Sequence, residues 1–143
     1  MAMNRKLKFL LLQLLGRGPD DINKLIYSAL DAKRYTPGEF TFRGMKFTYT
    51  DFISVAYQIK EYFGSDRMKF NSSVADPLII DCGSNVGVSV VYYKKLFPAA
   101  RIMAFEPDKS IFDCLKKNME LNKIKDVELF RKAIWIHNDG VDF

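Results

Sequence analysis

The ten residues Leu78-Ile79-Ile80-Asp81-Cys82-Gly83-Ser84-Asn85-Val86-Gly87 constrain this chain more than any other stretch. A short apolar run bounded by turn residues suits a strand buried on both faces of a parallel sheet. Gly83 and Gly87 carry no Cβ, so the backbone can turn tightly and approach a ligand closely. Asn85, between them, is among the non-glycine residues that best tolerate positive φ. A helix starting after Gly87 would direct its free N–H groups and positive dipole end at that ligand. Strand, glycine turn and helix in this order outline a nucleotide-binding crossover.

A second strand ending in an acid completes the pattern, because the acid can reach a ribose. The segment Arg101-Ile102-Met103-Ala104-Phe105-Glu106-Pro107 provides it, with Glu106 placed 23 residues after Gly83. That matches the spacing of roughly 20 residues in dinucleotide-type fingerprints. The bland alternatives are an Asp81 that caps turn amides and a Glu106 that faces water at a strand end. Paired spacing favours the ribose role for Glu106.

The runs IIDCGSNVGVS, FP-x-A-x-I-x-AFEPD, LKKN and KAIW together resemble the FkbM-type family of class I S-adenosylmethionine-dependent methyltransferases. The resemblance is strongest over residues 78–135 and looser back to about residue 40. It implies an α/β fold: the Rossmann-like, doubly wound class I methyltransferase sheet, first strands and helices only, behind an N-terminal helical and hairpin extension. The expected division is 1–76 for the extension and 77–143 for the first half of the S-adenosylmethionine-binding domain. The family's acidic segment after the fourth strand and its closing antiparallel strands have no counterpart here. The chain therefore reads as the N-terminal part of a longer enzyme, or as a shortened one.

The resemblance also implies a cofactor site. Backbone at Gly83, Ser84, Asn85 and Gly87 would lie against the methionyl and ribose portions, and Asp81 would organise the turn and the cofactor's ammonium. Glu106 would accept from both ribose hydroxyls, a bidentate task that suits a carboxylate. Phe105 and Pro107 would give apolar surface near the adenine, and Lys132 with Ala133 would close its other face. Ser84 and Ser89 could touch the cofactor's carboxylate, or could serve solvent or helix capping instead. Cys82 belongs to the same turn but is expected to pack behind it, as a free cysteine packs like a small apolar residue. Glu61 stands where the family often has an acid; an exposed helix-end carboxylate is the equal alternative.

Composition narrows the rest. With 48% hydrophobic residues and 143 positions, the chain has core material for one domain. Cys82 and Cys114 are its only cysteines, without metal-ligand spacing, so no metal is expected and a reduced, cytoplasmic protein is. Arg5, Lys6, Lys8 and Arg17 carry +4 of the net +5, leaving a nearly neutral body and no basic stripe for nucleic acid. Residues 4–16 have helical apolar spacing but fall short of the roughly 20 residues that span a bilayer. A helix packed on the domain or on a second subunit is favoured there over membrane-surface contact. No small-x-small site follows it, which argues against a secretion signal.

Further elements follow from periodicity. A helix is expected over residues 20–32, with Ile22, Leu25, Ile26, Ala29 and Leu30 on one side. Phe40, Phe42, Phe47 and Tyr49 alternate about Arg43-Gly44-Met45 as a hairpin. Asp51 caps a helix running to Phe63. Residues 64–76 read as a loop. Residues 88–97 are ambiguous by propensity, and their place after the glycine turn argues helix. Ser110 with Asp113 resembles a capping box opening a helix to about Leu121. A third strand is expected from Val127 to Trp135, with Trp135 in the core, and Gly140 to Phe143 could begin a fourth. His137 reads as a solvated loop residue.

The activity implied is methyl transfer to a hydroxyl of a sugar or another small hydroxylated metabolite, with no residue convincing as catalytic base. Two other readings stand beside it. One is an NAD-dependent oxidoreductase, although Gly-x-Asn-x-Gly lacks the Gly-x-Gly-x-x-Gly spacing. The other is a non-catalytic cofactor-binding or interaction fragment, whose N-terminal helix could also support a homo-oligomer.

Overall fold

The computed structural model describes Leu7 and residues 21–136. The rest of the amphipathic segment 4–16, His137 and the fourth-strand segment lie outside the described residues. Helix α1 spans Asp21–Leu30, and strands β1 (Gly38–Phe42) and β2 (Met45–Tyr49) form an antiparallel hairpin. Helix α2 (Phe52–Phe63) and a short 3-10 turn (Asp66–Met68) follow. Then β3 (Leu78–Cys82), α3 (Val88–Leu96), β4 (Arg101–Phe105), α4 (Lys109–Leu121) and β5 (Val127–Phe130) alternate strand with helix.

The hairpin turns on Arg43 and Gly44, both at positive φ (+47° and +79°). Such a pair matches the right-handed twist of the strands it joins. Phe40 stacks on Phe47 at 5.7 Å, and Phe42 meets Phe63 of α2 edge-on at 5.8 Å. Alternating aromatics thus fasten the hairpin to the helix.

Strands β3, β4 and β5 form a parallel sheet in that order, as the crossover pattern predicts. One apolar core joins its packed side to the preceding elements: Ile22, Phe47 and Ile59 share it with Val88, Ile102 and Leu115. β3 is not covered on both faces, contrary to the expectation from its apolar run. Ile79 is buried, whereas Leu78 is 52% and Ile80 58% exposed. Alternate residues point to opposite faces, and among the described residues only the Ile79 side is covered.

Two further expectations are corrected, and a third, the helix after the glycine turn, is borne out. The third strand stops at Phe130, five residues short of Trp135, which is 58% exposed. The backbone after Phe130 leaves the ladder, so apolar character there carries no strand geometry. Helix α4 is capped by Asp108, whose Oδ1 accepts from the Ile111 N–H at 2.9 Å and from the Ser110 hydroxyl at 2.6 Å. Ser110 is already inside the helix, and Asp113 pairs with Lys109 one turn away at 2.8 Å. Residues 88–97 resolve as helix over Val88–Leu96, where Val88, Val90 and Val91 are buried. Tertiary burial overrides their strand propensity.

Candidate cofactor site

Parallel register sets the site. Asp81 pairs with Ala104 and Cys82 with Phe105, so β3 and β4 end flush and their following residues meet at one sheet edge. Carboxyl ends of parallel strands are where open α/β sheets bind ligands. Gly83 and Ser84 both donate to the Phe105 carbonyl, at 2.9 and 2.8 Å, which folds the turn back over β4. The reversal requires positive φ at Gly83 (+96°), Asn85 (+48°) and Gly87 (+87°).

The two glycines serve different ends. A Cβ on Gly83 would meet nothing within 4 Å, so its Cα borders open space. A Cβ on Gly87 would stand 2.7 Å from both Leu115 Cδ1 and Met119 Cε. Gly87 therefore lets α3 start tight against α4, instead of opening a path for a ligand.

Glu106 is 6% exposed, which sets aside the water-facing alternative. Its Oε2 accepts the Asn85 N–H at 3.1 Å and its Oε1 the Asp108 N–H at 2.9 Å. The side chain thereby ties the glycine turn to the loop that opens α4. Each carboxylate oxygen has a second lone pair still able to accept a hydroxyl. Asp81 does not cap turn amides either: its Oδ2 accepts the Ser89 hydroxyl at 2.6 Å. Ser84, 1% exposed, donates to the Asp81 carbonyl at 3.1 Å and braces the turn from behind. Neither serine is held by solvent or by a helix cap.

The expected amide cradle is replaced by acceptors. The turn N–H groups from Gly83 to Gly87 go to the Phe105 carbonyl (twice), Glu106, the Asn85 side chain and the Ser84 carbonyl. Val88, Ser89 and Val90, which open α3, are at most 3% exposed. What borders the open side is a partly exposed Asp81, the exposed Cys82 and Gly83, and Asn85. Cys82 thus lies at the surface, not packed behind the turn. As the last residue of β3 its side chain falls on the uncovered face of the strand, with Leu78 and Ile80.

Phe105 stacks on Phe130 across the β4–β5 pair, with centroids 4.7 Å apart and planes 14° from parallel. Pro107 is half-buried beside Glu106. Lys132 and Ala133 are exposed past the end of β5, and Glu61 is exposed on α2.

Sequence reasoning missed the contribution of α2. Gln58 Nε2 donates to Asn85 Oδ1 at 3.0 Å, and that oxygen also accepts the Val86 N–H at 2.8 Å. Tyr62, one turn further on, lies in the field of Asp81. Burial, then Asp81, pushes its hydroxyl up to about 12, so it stays protonated and able to donate. Their spacing of four on one helix was the available signal, but nothing local shows that this face meets the turn.

The comparisons place the architecture. Over 69% of its length and 44% of the other chain, the protein superposes on the M. jannaschii TYW2 structure in complex with AdoMet, with a TM-score of 0.51 and 21% identity. The fold is that of class I S-adenosylmethionine-dependent methyltransferases. Among curated proteins, the chain is 34% identical over 70 residues to "Methyltransferase sdnD" of Sordaria araneosa, covering 49% of this chain and 27% of that protein. It is 38% identical over 53 residues to "Methyltransferase 1" of Beauveria bassiana (strain ARSEF 2860), covering 37% and 21%. The chain thus spans about a quarter of the length of these relatives, 27% and 21%. No family model matches it.

Proposed function

We propose that the protein binds S-adenosylmethionine at the β3–α3 turn and that the whole polypeptide is a methyltransferase. The observation that carries the cofactor is the supply of acceptors and shortage of donors at the turn. Asp81 and Glu106 offer carboxylate oxygens, while the five turn amides are occupied within the protein. A cofactor that presents an ammonium, a sulfonium and ribose hydroxyls suits this environment. A pyrophosphate needs free backbone N–H groups at the helix start and suits it poorly, which disfavours the NAD-dependent oxidoreductase.

In this reading Asp81 attracts the ammonium through its Oδ1, which takes no donor among the described residues. Glu106 receives the ribose hydroxyls on its second lone pairs, and the open Gly83 Cα admits the ligand between them. The Phe105–Phe130 stack and Pro107 form the apolar side toward the adenine, with Lys132 and Ala133 near it. When bound, the cofactor supplies the electrophilic methyl group, and the chain binds, orients and dries the site. Alignment of an acceptor with that methyl can supply much of the acceleration.

The narrower assignment to the FkbM-type family, with a hydroxyl of a sugar or other small metabolite as acceptor, rests on the motif residues between 78 and 135. Calorimetric titration with S-adenosylhomocysteine, with NAD as control, tests the cofactor. Saturable binding of the first alone is expected. Preference for NAD, or no binding of either by folded protein, would overturn the reading.

A further inference from the structure

We propose that Gln58 is a positioning residue for the carboxylate that receives the ribose, acting through the Asn85 side chain on Glu106. The inference rests on the cofactor reading above and extends it to α2, outside the strand–turn–helix motif. Gln58 Nε2 donates to Asn85 Oδ1 at 3.0 Å, and the same oxygen accepts the Val86 N–H at 2.8 Å. Both lone pairs of that carbonyl are then filled, so the Asn85 side chain is held between the helix and its own turn. The Asn85 N–H in turn donates to Glu106 Oε2 at 3.1 Å. A continuous series of hydrogen bonds thus runs from α2 to the carboxylate.

Asn85 is the point in the turn where outside support matters. Gly83 and Gly87 reach positive φ without a Cβ, whereas Asn85 holds φ +48° with one. A residue in that region persists only where its surroundings fix it. The Val86 bond is local and travels with the turn. The Gln58 bond comes from 27 residues away, on a helix that is itself fixed. Val55, Ala56 and Ile59, neighbours of Gln58 on α2, are at most 1% exposed. Phe63 meets Tyr92 of α3 edge-on at 5.2 Å, and Tyr62 packs against the same ring at 5.5 Å. Turning the Asn85 amide over would set its NH2 against the Val86 N–H, so Gln58 has to be the donor. Without that donor Asn85 can relax, and with it the N–H that fixes one oxygen of Glu106. Glu106 would keep the Asp108 N–H on Oε1 alone, and ligand binding would then have to order the carboxylate.

The test titrates the full chain with S-adenosylhomocysteine by calorimetry. Gln58→Met keeps the length of the side chain and removes the donor. It should raise the Kd about three- to tenfold, the worth of one neutral hydrogen bond. In a Glu106→Ala background the same substitution should add nothing, because the group it acts on is gone. Gln58→Glu gives a readout that packing alone would not move. An ionised carboxylate cannot donate to Asn85 Oδ1, whereas a protonated carboxyl can, and partial burial raises a carboxyl above its ordinary pKa of about 4.3. The Kd of this variant relative to wild type at the same pH should therefore be raised at about pH 8 and fall back toward unity by about pH 5. An unchanged Kd in Gln58→Met, losses that add to those of Glu106→Ala, or a Gln58→Glu ratio indifferent to pH would each overturn the role of Gln58. Wild-type protein that failed to bind the ligand would instead remove the cofactor reading, and this inference with it.

Discussion

Gly83 and Gly87 both adopt left-handed backbone, and their surroundings separate what substitution would do. Gly87→Ala adds a methyl group 2.7 Å from Leu115 and Met119 as well as backbone strain. A loss of about 2–4 kcal/mol is expected, from overpacking plus a residue forced to positive φ. Gly83→Ala meets only the strain, about 1–2 kcal/mol, because its methyl group projects into open space. Denaturant titration should rank them in that order, whereas cofactor titration should show the Gly83 variant impaired while still folded. Glu106→Ala belongs at the same scale. It removes a buried carboxylate from two backbone N–H groups and from the proposed ribose contact. A weakening of cofactor binding by about 1–3 kcal/mol is expected by calorimetry. Unaltered affinity in a folded variant would take Glu106 out of the site.

At the scale of elements, α2 depends on the acid that opens it. Asp51 is buried; it accepts the Ser54 N–H and hydroxyl, the Tyr35 N–H and the Arg34 guanidinium. Burial works to raise its pKa, but the Ser54, Tyr35 and Arg34 bonds outweigh that and hold it below the ordinary 3.8. A carboxylate depressed in the folded state contributes stability that is present above its unfolded pKa and lost as pH falls through the folded one. Stability should therefore decline below about pH 4, and Asp51→Asn should flatten that slope in acid titrations followed by circular dichroism. Asp51 was legible as a cap because capping is local: a short polar side chain before an apolar helical face. The hairpin and the strand–glycine turn–helix unit were legible for the same reason. The inward turn of Glu106, the surface position of Cys82 and the grip of Gln58 on Asn85 were not. They depend on partners from other elements, as Glu106 and Gln58 find theirs 21 and 27 residues away. Trp135 misled because apolar character says nothing about whether the ladder continues beneath it.

Across the whole molecule, one side chain joins the hairpin, the glycine turn and α4. Asn118 is fully buried; its Oδ1 accepts the Thr48 N–H at 2.6 Å and hydroxyl at 3.0 Å. Its Nδ2 donates to the Thr48 carbonyl at 2.9 Å and the Val86 carbonyl at 2.8 Å. All of its hydrogen-bonding capacity is thus spent on backbone or buried partners from residues 48 and 86, far apart in sequence. Asn118→Ala would strand those groups without water, and a cost of about 3 kcal/mol or more is expected. Asn118→Asp tests the same point with shape retained, because a carboxylate cannot donate to the Thr48 and Val86 carbonyls. Since the hairpin shares its core with the parallel sheet, the loss should not be confined to β1 and β2. Near-ultraviolet dichroism from the hairpin aromatics and far-ultraviolet dichroism from the helices should shift together to lower denaturant in both variants. An aromatic signal that melted first, with the helices unmoved, would mean that the hairpin is a separable layer. The glycine turn would then not depend on it for its shape.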